Sequence, residues 1–285
     1  GISLIALFAA RLWASGKPIW VKYAGNWQPQ GREPISYSLQ RFLLRQAWQK
    51  QRVTVNGNWT GQPEHVISFN NPSLSEVELA RAREIAKEKT LAEPIQILFV
   101  GRIEAEKGVG RVIEIARGLK QRNISFHIHL VGDSLQAENF KKQAQQEDLE
   151  KFVTFSGWKS KAEVFAYYKS AHFILHPSLA SEGWPKVLSE AMAHGAVPLA
   201  STVSSIPQIF EQTGAGLAIP AEDTQAYVEA IMRYTQDAQS WKDASLRGVQ
   251  SAWVFSYSYY LTAVRTLFWQ AWKVDLNNEE FTKKN

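Results

Sequence analysis

The sequence predicts an α/β protein whose carboxyl-terminal two-thirds forms a doubly wound parallel sheet. Two observations predict it. From Ile95 onward, short β-rich runs alternate regularly with helical patterns, and those runs are apolar nearly throughout rather than at every second residue. A strand apolar on both faces is covered on both faces, as in a parallel sheet between two helix layers. A content of 45% apolar and 21% charged residues over 285 positions fits an ordered globular chain with room for one large or two medium domains.

The expected strands are 95–100, 126–131, 153–155, 173–176, 197–200 and 217–219, and the intervening helices are 111–121, 137–147, 161–170, 187–193 and 206–211. The segment before Ile95 differs in texture. A helix over 4–14, a strand over 19–23, a helix over 38–51 and a strand over 53–55 precede a polar loop, and a helical run over 75–89 approaches a linker at 90–94. This reads as the later part of a second α/β domain. Residues 257–272 form a strongly aromatic helix with apolar residues on several faces, so it must pack against something. The expected division is 1–92, 93–256 and a terminal helix within 257–285 that crosses back to the first domain.

Composition narrows the function classes. The absence of cysteine excludes disulfide scaffolds, thiolate zinc sites and thiol catalysis. A net charge of +5 favours anionic partners, but no block of five like charges occurs, which argues against a nucleic-acid arm. Eleven Trp suit either carbohydrate surfaces or cores, and the core reading is favoured for most. The opening apolar run is interrupted by Arg11 and Lys17, falls short of the roughly 20 residues a membrane span requires, and lacks a basic leader. It starts without Met, as if inside a fold, so the first domain is expected to be incomplete.

Two strand-end loops carry chemistry. In Phe99-Val-Gly-Arg-Ile-Glu-Ala-Glu-Lys-Gly108 a strand ends at Gly101 and a loop holding Arg102 and Lys107 leads into a helix. Open α/β sheets bind ligands outside the carboxyl ends of their strands. Two cations there suit a phosphate group, Arg by bidentate contact and Lys as a mobile point charge. Pairing of both cations with Glu104 and Glu106 on a plain surface loop is the competing reading. Neither a dinucleotide fingerprint nor a Gly-x4-Gly-Lys-Ser/Thr phosphate loop is present.

The second loop is His176-Pro-Ser-Leu-Ala-Ser-Glu-Gly-Trp-Pro-Lys-Val-Leu-Ser-Glu190. A helix start near Pro185 or Lys186 offers N–H groups and a positive dipole end to an anion. Glu182 precedes the helix and Glu190 lies within it, and a carboxylate accepts two hydrogen bonds from a vicinal diol. His172, His176 and His194 have no metal-ligand spacing.

The ordered run Val100-Gly-Arg-Ile-x3-Lys-Gly, Val131-Gly-Asp, Phe155-Ser-Gly-Trp, Pro177-Ser and Ser181-Glu-Gly-x6-Glu-Ala-Met-Ala-x-Gly-x-Val-Pro resembles retaining glycosyltransferases of the GT-B fold, family 4 (group 1). The resemblance covers roughly residues 95–211. It implies two Rossmann-like domains facing a cleft and a hexosyltransferase using a nucleotide-diphosphate sugar, UDP-sugar by family frequency, with no cofactor and no metal. Arg102 and Lys107 would neutralise the diphosphate, Glu182 would face the transferred sugar, and Glu190 would hold the ribose. Gly101 would join the donor loop, and Gly157, Trp158 and Lys159 would lie near the base. Gly183, Trp184, Val187 and Leu188 would supply backbone contacts. The acceptor would be a saccharide or lipid-linked saccharide in polysaccharide or glycoconjugate synthesis, and the enzyme would be cytoplasmic. The alternatives are a nucleotide-sugar binding module without turnover and a GT-B phosphorylase or epimerase.

The resemblance fades before Ile95. Nothing matches the family's amino-terminal glycine-rich loop, and Val21-Lys-Tyr-Ala-Gly-Asn-Trp27 holds no His where many relatives place one. Asn26 and Trp27 are weak acceptor-contact candidates, with a structural turn as the equal alternative. The basic amphipathic helix from Ser38 could rest peripherally on the inner face of a membrane, and an ordinary core-facing role is favoured over that.

Overall fold

The computed structural model describes residues 2–13, 16–29, 33–48, 50–180 and 182–276. The first part of the chain contributes α1 (Ile2–Trp13), β1 (Ile19–Lys22), α2 (Ile35–Arg45), β2 (Gln51–Val55), β3 (Val66–Ser68) and α3 (Glu76–Glu88). Its three strands pair in parallel in the order β1-β2-β3. The larger unit follows as β4 (Ile95–Val100), α4 (Val109–Gln121), β5 (Phe126–Val131), α5 (Ala137–Gln146), β6 (Val153–Gly157) and α6 (Lys161–Ser170). It continues with β7 (Phe173–His176), α7 (Lys186–Ala193), β8 (Val197–Ser201), α8 (Ile206–Thr213), β9 (Leu217–Ile219), α9 (Thr224–Gln236), α10 (Ala238–Ser251) and α11 (Tyr257–Trp272).

The second sheet is all parallel, in the order β6-β5-β4-β7-β8-β9. Its two faces are buried in separate cores, as the unbroken apolar runs require. Ile95, Ile97 and Phe99 of β4 pack with α4 and α9, whereas Leu98 packs on the other face with Tyr168, Ile174, Leu188 and Met192. Each fully buried aliphatic side chain contributes about 1.5–3 kcal/mol. The chain runs outward from β4 to β6 and returns to β7 beside β4, so the order reverses between β4 and its two neighbours. The carboxyl ends of β4 and β7 therefore frame the crevice where doubly wound sheets take their ligands.

Helix α11 lies against the first sheet. Trp20 meets Phe268 edge-on at 5.7 Å, Lys22 stands over the Tyr260 ring at 4.6 Å, and the Trp272 indole N–H donates to the Lys50 carbonyl at 2.8 Å.

The largest departures from expectation are α9 and α10, which no expected helix covers, and α2, which ends at Arg45 instead of running to residue 51. The ladder with β1 takes Gln51 and Arg52 into β2 through Ile19↔Gln51 and Trp20↔Arg52, a tertiary pull that helical periodicity does not report. The core-facing role expected for this helix also fails in part. Leu44 is buried and Arg41 pairs with Glu33, but Leu39 and Phe42 are exposed and Ile35 is 86% exposed. The three-residue β3 was too short to expect. Among the described residues, no helix is long and apolar enough to cross a membrane.

The two units meet at Gly183. Its N–H donates to the Ala24 carbonyl at 3.1 Å, and its own carbonyl accepts from Ser204 Oγ at 2.8 Å and Ser205 Oγ at 2.7 Å. Nearby, the Asn58 N–H donates to Gln208 Oε1 at 2.8 Å. A Cβ on Gly183 would stand 2.7 Å from the Ala24 carbonyl oxygen and closer still to the Asn56 amide. Gly183→Ala is therefore expected to lower stability by about 1–3 kcal/mol and to part the two units. A lower Tm together with a larger radius of gyration by small-angle scattering checks this; an unchanged radius contradicts it.

Candidate active site

Strand β4 delivers the chain to Gly101, whose N–H donates to the Val131 carbonyl at 3.0 Å. The turn that follows ends at Gly108, the residue before α4, at φ +88°. That conformation suits glycine, and a Cβ there would collide with the Pro177 carbonyl. The loop after β4 is thus pressed directly against the loop after β7. The Leu179 N–H donates to the Glu106 carbonyl at 3.0 Å, Ser178 Oγ donates to the same oxygen at 3.3 Å, and Arg111 Nε donates to the Pro177 carbonyl at 2.8 Å.

This contact brings the key charges together. Lys107 forms an ion pair with Glu182 across the two loops. Arg102, mostly exposed, pairs with Glu104 at 2.9 Å. The surface-loop alternative, with both cations held by Glu104 and Glu106, thus holds for Arg102 and not for Lys107. Burial, with Arg102 next in effect, lowers the Lys107 pKa. An anion arriving here meets a Lys107 that is partly stripped of water, where a charge–charge contact is stronger than at an open surface.

Arg102, Lys107 and Glu182 line one cleft of about 760 Å³, closed on the other side by Lys22, Tyr23 and Tyr37 of the first unit. Lys22, whose pKa burial also lowers, was not anticipated as a site residue. No spacing in the sequence links it to residues 80 places away; only the packing of β1 against the second unit does.

The remaining candidates are not among the residues that line this cleft. Glu190, on α7, accepts a hydrogen bond from the Tyr168 hydroxyl at 3.0 Å, and burial raises its pKa. Gly157 takes φ +70° at the end of β6 with open space around it, and its carbonyl accepts from the Gly132 N–H at 2.9 Å. Trp158 beside it is 74% exposed, and Lys159 stands 4.0 Å from Glu163. Trp184 is buried and stacks on Phe255 at 5.0 Å. The N–H groups of Gly183 and Leu188 are already bonded, to Ala24 and Pro185 carbonyls; Val187 is half-buried beside them on α7. Ser181 lies outside the described residues. Asn26 lines a neighbouring cavity, but Trp27 is 1% exposed, packed edge-on to Tyr23 at 5.4 Å. The acceptor contact suggested for Trp27 is corrected on that ground: its ring fills the core of the first unit with Leu44 and Val53.

Comparison with known proteins accords with this geometry. The family described as "Glycosyl transferases group 1" matches residues 81–248, more than half of the chain. The amylovoran biosynthesis glycosyltransferase AmsK of Erwinia amylovora is 34% identical over 151 residues, which is 51% of this chain and 37% of that protein. The chain thus spans little more than a third of that relative's length. Sucrose-phosphate synthase from Thermosynechococcus elongatus superposes with a TM-score of 0.73 at 18% identity, over 94% of this chain and 71% of that one. Anabaena HepE in complex with UDP and glucose superposes with a TM-score of 0.70 at 17% identity, over 93% and 74%. Both establish the two-domain GT-B architecture, of which this chain covers part.

The buried histidines set an acid limit. His176, beneath the cleft, is pushed down to about 3 by burial and by Lys107, and His172 to about 4 by burial and by Lys89. His172 Nδ1 accepts the Gln96 N–H at 3.0 Å, a role only the neutral ring fills. A folded pKa below the unfolded value of about 6.5 contributes stability that is complete above that pH and is lost as pH falls toward the folded value. Tm is therefore expected to drop steadily from about pH 6.5 to pH 4, with a shallower slope in His176→Asn. A Tm independent of pH across that window would contradict neutral burial.

Proposed function

The chain belongs to the group 1 glycosyl transferases, and from that premise we propose that it holds the donor half of a retaining enzyme. That enzyme transfers a hexose from a UDP-sugar to a saccharide or lipid-linked saccharide in polysaccharide assembly. The observation that carries this reading is the meeting of Lys107 and Glu182 from two separate strand ends, in a cleft that also holds Arg102. A diphosphate entering the cleft would take the Lys107 ammonium from Glu182 and leave that carboxylate for sugar hydroxyls. UDP as carrier and a polysaccharide product draw support from the HepE complex and the AmsK name.

In the reaction the bond between the sugar C1 and the diphosphate oxygen breaks, and its electron pair leaves with the phosphate. Arg102 and Lys107 stabilise the growing negative charge, a place that divalent metals fill in other transferases, so no metal is required. The acceptor oxygen then bonds C1 on the same face, and its proton passes to the departing phosphate oxygen. Glu190 would accept both ribose hydroxyls.

Each charge-assisted contact is worth roughly 1.5–3 kcal/mol, about tenfold or more in rate or affinity. Lys107→Ala is expected to lower kcat for transfer or donor hydrolysis at least tenfold; an unchanged kcat removes Lys107 from the chemistry. Glu190→Gln should weaken UDP binding about tenfold by calorimetry. Its effect on stability has the opposite sign. A carboxyl whose folded pKa is raised contributes fully below its unfolded pKa and loses that contribution as pH rises through the folded value. At neutral pH the variant should thus be no less stable than the parent, while UDP affinity of the parent should fall as pH drops through the raised pKa. Parental UDP affinity in the variant would sink the ribose assignment.

A further inference from the structure

A second cavity, of about 450 Å³, lies on the far side of Leu179, which it shares with the donor cleft. Both units build it. Asn26 and Trp59 come from the first, and Thr202, Ser204, Gln208 and Glu222 come from the loops after β8 and β9 and from α8. Its chemistry is unlike that of its neighbour. The donor cleft holds three cations, Lys22, Arg102 and Lys107, beside Glu106 and Glu182, whereas Glu222 is the one charged side chain among the described residues that line this cavity. A phosphate or carboxylate entering it would find no cation and one opposing carboxylate. Hydroxyl and amide groups on most walls suit a partner that both donates and accepts hydrogen bonds.

The walls are also held in place. The Trp59 indole N–H donates to the Asn56 carbonyl at 2.8 Å, which fixes a half-buried ring at the edge of the cavity. Ser201 Oγ donates to the Ser178 carbonyl at 2.6 Å, tying the loop after β8 to the loop that carries Glu182. Ser204 sits at φ +55°, a conformation costly for any residue but glycine, and its hydroxyl is committed to Gly183. A serine held there against its backbone preference fixes the loop that frames the cavity.

We infer that this cavity is the acceptor subsite and that the sugar ring it seats is neutral, neither a uronic acid nor a phosphorylated sugar, with its reacting hydroxyl directed past Leu179. The ring packs against Trp59 through its C–H groups, and its hydroxyls bond Thr202 and the side-chain amides of Gln28, Gln208 and Asn26 around it. This inference rests on the donor reading of the adjacent cleft.

Saturation-transfer NMR on this chain with UDP present, using methyl α-glucopyranoside, methyl β-galactopyranoside and methyl β-glucuronide as probes, tests it. At least one neutral glycoside should give a signal that falls at least fivefold in Trp59→Ala. The glucuronide should be at least fivefold weaker than that glycoside in the parent and should recover in Glu222→Gln, a change at an exposed position that leaves the core intact. Calorimetry with UDP on the same samples separates the two sites: parental UDP affinity in Trp59→Ala shows a folded donor cleft. No signal from either neutral glycoside, signals indifferent to both substitutions, or a glucuronide signal equal to the neutral ones would each overturn the inference. Trp59-dependent glycoside binding in a protein that ignores UDP would instead uphold the saccharide subsite and overturn the donor reading alone.

Discussion

The Glu106 carbonyl accepts hydrogen bonds from the Leu179 N–H and from Ser178 Oγ, and beside it the Lys107 ammonium reaches the Glu182 carboxylate. Through these contacts two loops more than 70 residues apart behave as one surface. Their meeting is a consequence of strand order. Because the sheet reverses between β4 and its two neighbours, the carboxyl ends of β4 and β7 lie side by side, and only a glycine at 108 allows the backbones to close to contact. The cleft lined by Arg102 and Lys107, the buried histidine beneath it and the seam with the first unit all depend on that approach.

Two lysines that line the cleft, and one carboxyl on α7 apart from it, are buried against their charge. Lys107 and Lys22 lose affinity for their protons, and Glu190 gains affinity for its own, each chiefly through desolvation. Such positions are unfavourable for folding and favourable for binding, since a ligand of opposite charge restores what water no longer supplies.

The seam between the two units is polar where it touches and open where it does not. Gly183 bonds to Ala24 on one side and accepts from Ser204 and Ser205 on the other, so a single segment links the first unit, the loop after β7 and the loop after β8. On either side of Leu179 the seam opens into two cavities of contrasting charge.

Much of this was legible in the chain itself. Strands β4, β5, β7 and β9 and helices α6 and α11 stand where the apolar runs and helical periods place them, because a strand buried on both faces and a helix with a buried stripe each leave a local signature. The kinship of the two loops was legible too, since strand ends in a doubly wound sheet point the same way whatever lies between them. The helices α9 and α10, the early end of α2, the three-residue β3, the burial of Trp27 and the entry of Lys22 into the cleft were not. Each of these is settled by which surface packs on which, and pairing β2 to β1 or seating the first unit against Gly183 depends on contacts between residues that no periodicity connects. The parallel sheet and the two loops at its strand ends were thus determined by the sequence alone, because burial on both faces leaves a local signature, while the partner of each charge and the shape of the space between the two units were decided by tertiary packing, which joins residues far apart in the chain.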